Sequence, residues 1–148
     1  MERKINLSPE DCERIRARLS QSKWVDAEGK SVDSPEPGEY LLGLIDAWSK
    51  IVEEIASGYE FTIYDYTNDL SVRDEIAEMM QALTDNGKKA LAELVDPIDE
   101  RFKEATREIP ISVLHPSETP SDYWWWYRVP TEPGEDLASD LRNRRLIE

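Results

Sequence analysis

The segment from Glu39 to Gly58 constrains the fold of this chain more than any other stretch. It reads EYLLGLIDAWSKIVEEIASG, and its large apolar residues recur at the spacings that place them on one face of an α-helix. That face is wide enough for a helix at the centre of a core, with Trp48 as a packing residue. Gly58 stands where a residue in the left-handed conformation ends many helices. The segment therefore predicts a mainly α-helical protein.

Other segments show the helical period less completely. Ser8 and Pro9 match the cap and the first residue of a helix, and Ser71 with Asp74 matches a capping box. Pro97 removes one backbone donor, which predicts a kink in its helix or a division into two shorter helices. The predicted helices are Ser8–Gln21, Gly38–Ser57, Ser71–Leu83 and Gly87–Arg107, with a short one near Glu135–Arg144.

After Glu108 the helical period stops. The stretch IPISVLHPSETPSDYWWWYRVPTEPG contains five prolines, which predicts an irregular region rich in tryptophan and proline, with one or two short strands. The best strand candidates are the tryptophan run and Tyr59–Thr67, although the second also fits a helical period and stays open. We expect a single domain over residues 1–148, a bundle of four to five helices. The predicted core comprises Trp24, Leu44, Trp48, Ile55, Ile76, Met80, Leu94, Ile98 and Phe102.

The net charge of −14 limits the kinds of partner. Residues 25–106 hold 7 basic and 20 acidic side chains, so nearly all of the excess lies in the middle of the chain. Such a charge disfavours nucleic acid, anionic membranes and phosphate-rich ligands, and it favours a basic protein partner. The alternative is that the charge only keeps the protein soluble.

Acidic residues repeat along one face of the predicted helix after Gly87. Glu93, Asp96, Glu100 and Glu104 share that face, and Asp65 with Asp69 repeats the arrangement. Like charges four residues apart cost an isolated helix about 0.2–0.5 kcal/mol per pair. A merely soluble helix usually intersperses lysines, as Asp99 with Lys103 does here, so the repeats suggest a surface for a cationic partner. An ordinary solvated face is the competing interpretation.

The run SDYWWWYRVP concentrates three of the five tryptophans. In an extended segment Trp124 and Trp126 would point one way, and Trp125 with its tyrosine neighbours the other. Aromatic residues beside an arginine are typical of binding hot spots, which makes Trp125, Tyr127 and Arg128 candidate anchors for a partner. The run could instead clamp the C-terminal region onto the helices, or line a ligand pocket.

Catalytic residue types are scarce in this chain. His115 is the only histidine and Cys12 the only cysteine, and no nucleophile, phosphate-loop or metalloprotease motif is present. We expect His115 to be a loop side chain and Cys12 a small core residue, and we expect no catalytic residues, metal or cofactor. The alternative is a small-molecule-binding protein or a carboxylate-based hydrolase with a pocket beside the tryptophans. With no signal peptide and no apolar span in the sequence, we expect a cytoplasmic location.

The segments NDLSVRDEIAEMMQAL, LAELVDPIDERFKEAT and WWWYRVP together resemble a group of small, acidic, functionally uncharacterised bacterial proteins. That resemblance covers about the second half of the chain and implies no functional residues. By size and charge alone the chain is also similar to immunity proteins, which neutralise basic toxin domains. The hypothesis from the sequence is a cytoplasmic module that binds a basic protein, of unknown oligomeric state. Its predicted partner-binding residues are Trp125, Tyr127, Arg128, Asp65, Asp69, Glu93, Glu100 and Glu104.

Overall fold

A computed structural model of the chain describes residues 4–114, 119–120 and 122–147. Within these ranges five α-helices dominate, which confirms the mainly helical prediction. They are α1 (Pro9–Leu19), α2 (Pro37–Ala56), α3 (Ile63–Ala82), α4 (Asp85–Ala105) and α5 (Glu135–Asn143). The same ranges also contain two short strands, β1 (Thr106–Glu108) and β2 (Arg128–Pro130), and one 3₁₀ helix (Trp124–Tyr127).

Helix α2 lies at the centre, packed against α3 and α4. Its apolar stripe is buried at every turn, and Trp48 has no exposed surface, as predicted. Gly58 follows the helix at φ +95°, a conformation that favours glycine, so the predicted helix end is confirmed. The same core continues through the other helices and the 3₁₀ helix as one cluster.

Helix α3 begins eight residues earlier than predicted. The Thr62 side chain accepts from the backbone N–H of Asp65, and the Asp65 carboxylate accepts from the N–H of Thr62, so these two residues form the capping box. The capping box predicted at Ser71 is therefore wrong, and the stretch Tyr59–Thr67, which the sequence left open between strand and helix, enters the helix at Ile63. Tyr59 alone pairs in β fashion, in an isolated bridge to Pro133. The observed cap, Thr62 with Asp65, has the same Ser/Thr-x-x-acid pattern as the predicted one and lies earlier in the chain.

Helix α4 runs through Pro97 without dividing. Pro97 is exposed, so the carbonyl that its missing N–H leaves unpaired can be solvated instead. The helix begins after Thr84, whose hydroxyl accepts from the N–H of Gly87. Asp11, buried on α1, in turn accepts from the Thr84 N–H at 2.7 Å and the Thr84 hydroxyl at 2.9 Å. These bonds tie α1 to the start of α4.

The two strands pair antiparallel, with Arg107 opposite Val129. The sequence made the tryptophan run a strand candidate, but its three tryptophans lie in a 3₁₀ helix. Only the end of the run, Arg128–Pro130, is a strand, β2. Backbone bonds from Ile109 to Tyr127 and from Val113 to Trp126 hold the region after β1 alongside it. The irregular C-terminal region is thus a small hydrogen-bonded layer, fixed to the end of α4.

Most of the predicted core is confirmed. Trp48, Ile55, Ile76, Ile98 and Phe102 are buried. The predicted core residues that are only partly buried, and pack at the edge of the core, are Trp24, Leu44, Met80 and Leu94. Cys12 is also partly buried rather than fully buried.

Candidate functional site

The tryptophan run turns two neighbouring indoles into the protein. Trp125 and Trp126 are 2% and 1% exposed, and both donate their Nε1–H to the same oxygen of Asp74, each at 2.7 Å. Because the segment is a 3₁₀ helix and not an extended strand, the side chains do not alternate between two faces. The expected alternation is wrong, and Trp125 is not a surface residue.

A second buried carboxylate lies beside this anchor. Asp99 accepts from Nε and Nη2 of Arg73, both at 3.0 Å, and from the indole of Trp48 at 3.0 Å. The Arg73 guanidinium also lies 4.4 Å from the ring centroid of Trp125. Both partners of the Arg73–Asp99 pair have side chains that are only 9% exposed. Adjacent residues of α3, Arg73 and Asp74, therefore join the tryptophan run to α4 and α2.

Burial changes the acidity of Asp74. Removal from water raises its pKa, and the two indole hydrogen bonds lower it only in part, so the pKa stays above the usual value for aspartate. A raised pKa means that the fold does not favour the charge at this position. We interpret Asp74 as an acceptor for the tryptophans, with a structural role.

Tyr127 and Arg128, two of the predicted anchors, are half-buried in contacts of their own. Arg128 donates to the Thr106 hydroxyl at 2.8 Å and to the carbonyls of Lys103 and Thr106, each at 3.1 Å. Its backbone carbonyl accepts from the hydroxyl of Tyr66 at 2.8 Å. Arg128 thus holds β2 to the end of α4.

The two predicted acidic residues on α3 have different surroundings. Asp65 is exposed, although its carboxylate is engaged in the capping box. Asp69 is partly buried and accepts from the hydroxyl of Tyr59 at 2.6 Å. Burial raises the pKa of Asp69, and the Tyr59 bond offsets part of that rise. Of the two, Asp65 is the one that presents charge to solvent.

The acidic row on α4 lies fully on the surface. Glu93, Asp96, Glu100 and Glu104 are all exposed, and they span about 16 Å of helix at 1.5 Å per residue. Lys103 pairs with Glu100 at 3.4 Å, and not with Asp99 as the sequence suggested. Within the described ranges the other three residues of the row make no ion pair. We call these four residues the acidic row.

A depression of about 510 Å³ lies beside the 3₁₀ helix. Trp124 and Tyr127 line it together with Lys103, Glu108, Ile109 and Arg128. The Lys103 ammonium is 4.8 Å from the ring centroid of Trp124. The volume of this depression falls in the range of small-molecule sites, which is about 300–1,000 Å³.

A cluster of polar side chains that the sequence predictions did not include links α1, α2 and α3. The Tyr40 hydroxyl donates to Glu75 at 3.1 Å, and Arg18 pairs with the neighbouring Glu78 at 3.4 Å. Burial and the adjacent carboxylates raise the pKa of Tyr40 to about 12. The pKa of Glu75 is raised as well, first by burial and then by Glu78. Arg18, Trp24, Tyr40 and Glu75 line a depression of about 340 Å³ here.

The sequence contains a signal for the buried ion pair between Arg73 and Asp99, which the sequence predictions did not include. Arg73 follows Leu70 by three residues and precedes Ile76 by three, so a charge stands on the apolar stripe of α3. Asp99 likewise stands between Ile98 and Phe102 on α4. Charges at such positions indicate a buried partner of opposite sign.

Among the described residues no cluster of three or more histidine, cysteine or carboxylate side chains could hold a metal. His115, the predicted loop histidine, lies outside the described residues. No helix in the described part of the chain has the length and apolar character needed to cross a membrane. No known protein family, curated protein or solved structure matches this chain.

Proposed function

We propose that this chain is a cytoplasmic protein-binding module, and not an enzyme, that recognises a basic protein through the outer face of α4. One observation carries the proposal. The acidic row presents four carboxylates on one helix face, and only Glu100 has a neutralising partner among the described residues. An unneutralised row of this kind attracts a cationic surface over about a Debye length, which is about 10 Å at 0.1 M salt.

The class of partner we propose is a basic toxin domain, which the chain would cover as an immunity protein does. The net charge of −14 and the length of 148 residues support this assignment. In such a complex the acidic row would speed the encounter, and apolar contacts would set the lifetime. Trp125 is buried against Asp74 and Arg73 of α3, so its part in such a complex would be to hold the C-terminal layer in place.

The test compares two doubly reversed variants of equal charge. Glu93→Lys with Glu104→Lys changes the acidic row, and Glu28→Lys with Asp33→Lys changes an exposed loop. Each variant has two reversals of two charge units, so each moves the net charge from −14 to −10. Binding partners would be captured from a lysate of the source organism at low salt and identified, and their association rates measured.

We expect the α4 variant to associate about threefold to tenfold more slowly than the wild type, with a flatter dependence on salt. The loop variant should stay close to the wild type. Equal slowing by both variants would mean that net charge acts without a specific face. Capture of no basic protein at all would contradict the proposal.

A second candidate function is small-molecule binding in the depression beside Trp124. Its volume of about 510 Å³ and its aromatic lining favour this function. Native mass spectrometry of the purified protein tests it, because a bound metabolite would add a discrete mass. Its loss in Trp124→Ala, with the fold unchanged, would locate the ligand in this depression.

A further inference from the structure

Two exposed aromatic side chains lie at the start of α3. Tyr64 is 73% exposed and Phe61 is 47% exposed, and Tyr64 is the most exposed large apolar or aromatic side chain in the described part of the chain. Phe61 directly precedes the cap Thr62, and Tyr64 is the second residue of the helix. Both aromatic residues are close in the chain to Asp65, which the sequence predicts to bind a partner. Neither Phe61 nor Tyr64 was itself predicted to do so.

The position of the Phe61 ring is fixed by the core beneath it. The Phe61 ring packs edge-on against Tyr59 at 5.4 Å, and Tyr59 is buried. The capping box holds the backbone between the two rings. A ring that is held in place, as that of Phe61 is, loses little conformational freedom on binding, which is a property of hot-spot anchors.

Exposed carboxylates adjoin this pair of rings in the chain and in the segment that it contacts. Glu60 and Asp65 adjoin them along the chain, and both are exposed. The bridge from Tyr59 to Pro133 and the bond from the Gly134 N–H to the Tyr59 carbonyl join this segment to the start of α5. Two further exposed acidic residues, Glu135 and Asp136, begin α5, and a third, Glu132, directly precedes Pro133. An aromatic centre with an acidic rim is complementary to a basic, arginine-bearing surface.

The chain itself shows which group the Tyr64 ring accepts. The guanidinium of Arg144 lies 5.5 Å from its centroid, within the range of a cation–π contact. Arg144 is exposed and follows the end of α5. A partner's arginine that binds the same face of the ring must therefore replace an internal one.

We propose that Phe61 and Tyr64 are the aromatic anchors for the basic partner, and that an arginine of the partner replaces Arg144 on the Tyr64 ring. This inference rests on the proposed function, and it moves the anchor from the buried Trp125 to the start of α3. The acidic row attracts the partner, and the two rings hold it.

The experiment titrates the full-length ¹⁵N-labelled chain with a peptide of nine arginines, and with one of nine lysines, at about 20 mM salt. We expect amide shifts to concentrate at residues 60–65 and at Arg144. Tyr64→Ala should weaken binding of the arginine peptide about threefold, whereas Tyr64→Phe should leave it unchanged because the ring remains. Val32→Ala, at another exposed apolar residue, is the control.

A matched pair of arginine variants tests the replacement. Arg144→Gln and Arg142→Gln remove the same charge from the same end of α5, and only Arg144 contacts the Tyr64 ring. Arg144→Gln alone should tighten binding of the arginine peptide, by about twofold. Equal affinities of the two variants would overturn the replacement step.

The outcomes separate this inference from the proposed function. Shifts confined to the acidic row, with Tyr64→Ala binding like the wild type, would overturn the inference and leave the proposed function intact. If neither peptide shifts any amide, both are overturned. The spectrum of each variant without peptide shows whether its fold is retained.

Discussion

Helix α4 carries carboxylates on two sides, and the two sides have opposite relations to the fold. Asp99 faces inward, where Arg73 and the Trp48 indole satisfy it at 3.0 Å. Three residues earlier, Asp96 faces solvent in the acidic row. A carboxylate on the inner side of α4 thus connects neighbouring helices through hydrogen bonds, whereas a carboxylate on the outer side presents its charge to solvent. Acidic residues that the fold does not use are the ones available for a partner.

The matched pair Asp99→Asn and Asp96→Asn tests this comparison with the largest expected effect. Loss of the inward charge leaves Arg73 buried without its counter-ion, which costs about 3–5 kcal/mol in free energy of unfolding. Asp96→Asn should change that free energy by less than about 0.5 kcal/mol. Urea unfolding followed by circular dichroism measures both. Equal losses would show that the two sides of α4 do not differ.

Asp74 gives the next largest effect, because two donors depend on one oxygen. Asp74→Ala leaves both indole N–H groups without their acceptor and should cost about 2–4 kcal/mol. Asp74→Asn keeps an acceptor oxygen for the indoles and should cost about 1 kcal/mol, since burial raises the pKa of Asp74 and the fold therefore gains no stability from its charge. The unfolding midpoints of the two variants in urea distinguish these outcomes. A similar loss in both would mean that the charge itself is required.

Asp11 offers a test by pH. Burial alone would raise its pKa, but the bonds from Thr84 and Ser8 outweigh burial, so the pKa lies below the ordinary value of 3.8. A carboxyl with a lowered pKa contributes stability above its unfolded pKa, and that contribution is lost as the pH falls through the folded pKa. We expect Asp11→Asn to cost about 1–2 kcal/mol at pH 7.

The difference in unfolding free energy between the wild type and Asp11→Asn should therefore shrink as the pH falls below about 3.8. Thermal unfolding at a series of pH values measures it. A difference that stays constant down to pH 2 would contradict the assignment of the lowered pKa. Glu13→Gln, at an exposed residue of the same helix, is the control.

The smallest effect is expected on the outer side. Neutralising Glu93, Asp96 and Glu104 together, to Gln, Asn and Gln, removes like-charge repulsion worth about 0.2–0.5 kcal/mol per pair. The melting temperature should stay the same or rise slightly. A clear fall in the melting temperature would show that the acidic row takes part in the fold. Such a fall would weaken the case that the row is kept for a partner.

The sequence predicts what depends on local periodicity. Helix α2 and its glycine end follow from spacing alone, and α1, α4 and α5 fall within a few residues of their predicted bounds. The start of α3 was misplaced because two segments match the capping-box pattern, and Tyr59–Thr67 has the residue types of a strand. Tertiary contact with Asp140, whose carboxylate accepts from the Ile63 N–H, favours the upstream start.

The candidate site depends on contacts that periodicity does not contain. The burial of Trp125 and Trp126 involves a carboxylate about 50 residues away, because both indoles donate to Asp74. No local pattern encodes that pairing. The exposure of the acidic row could be predicted, because charges opposite an apolar stripe face water. The exposure of Tyr64 could not, because its spacing fits neither face clearly.

The shared acceptor of the two indoles also has a consequence for synthesis on the ribosome. Asp74 is translated 51 residues before Trp125, and Asp11 is translated 73 residues before Thr84. A nascent chain that ends within α4 has already made Arg73 and Asp74, and helices α1 to α3 can pack against one another, but the tryptophans that cover this side of α3 are not yet made. Long-range closures of this kind are slow and leave apolar surface exposed meanwhile. The residues after Glu108, which supply the tryptophans and α5, therefore complete the native packing of this fold after its other helices have been made.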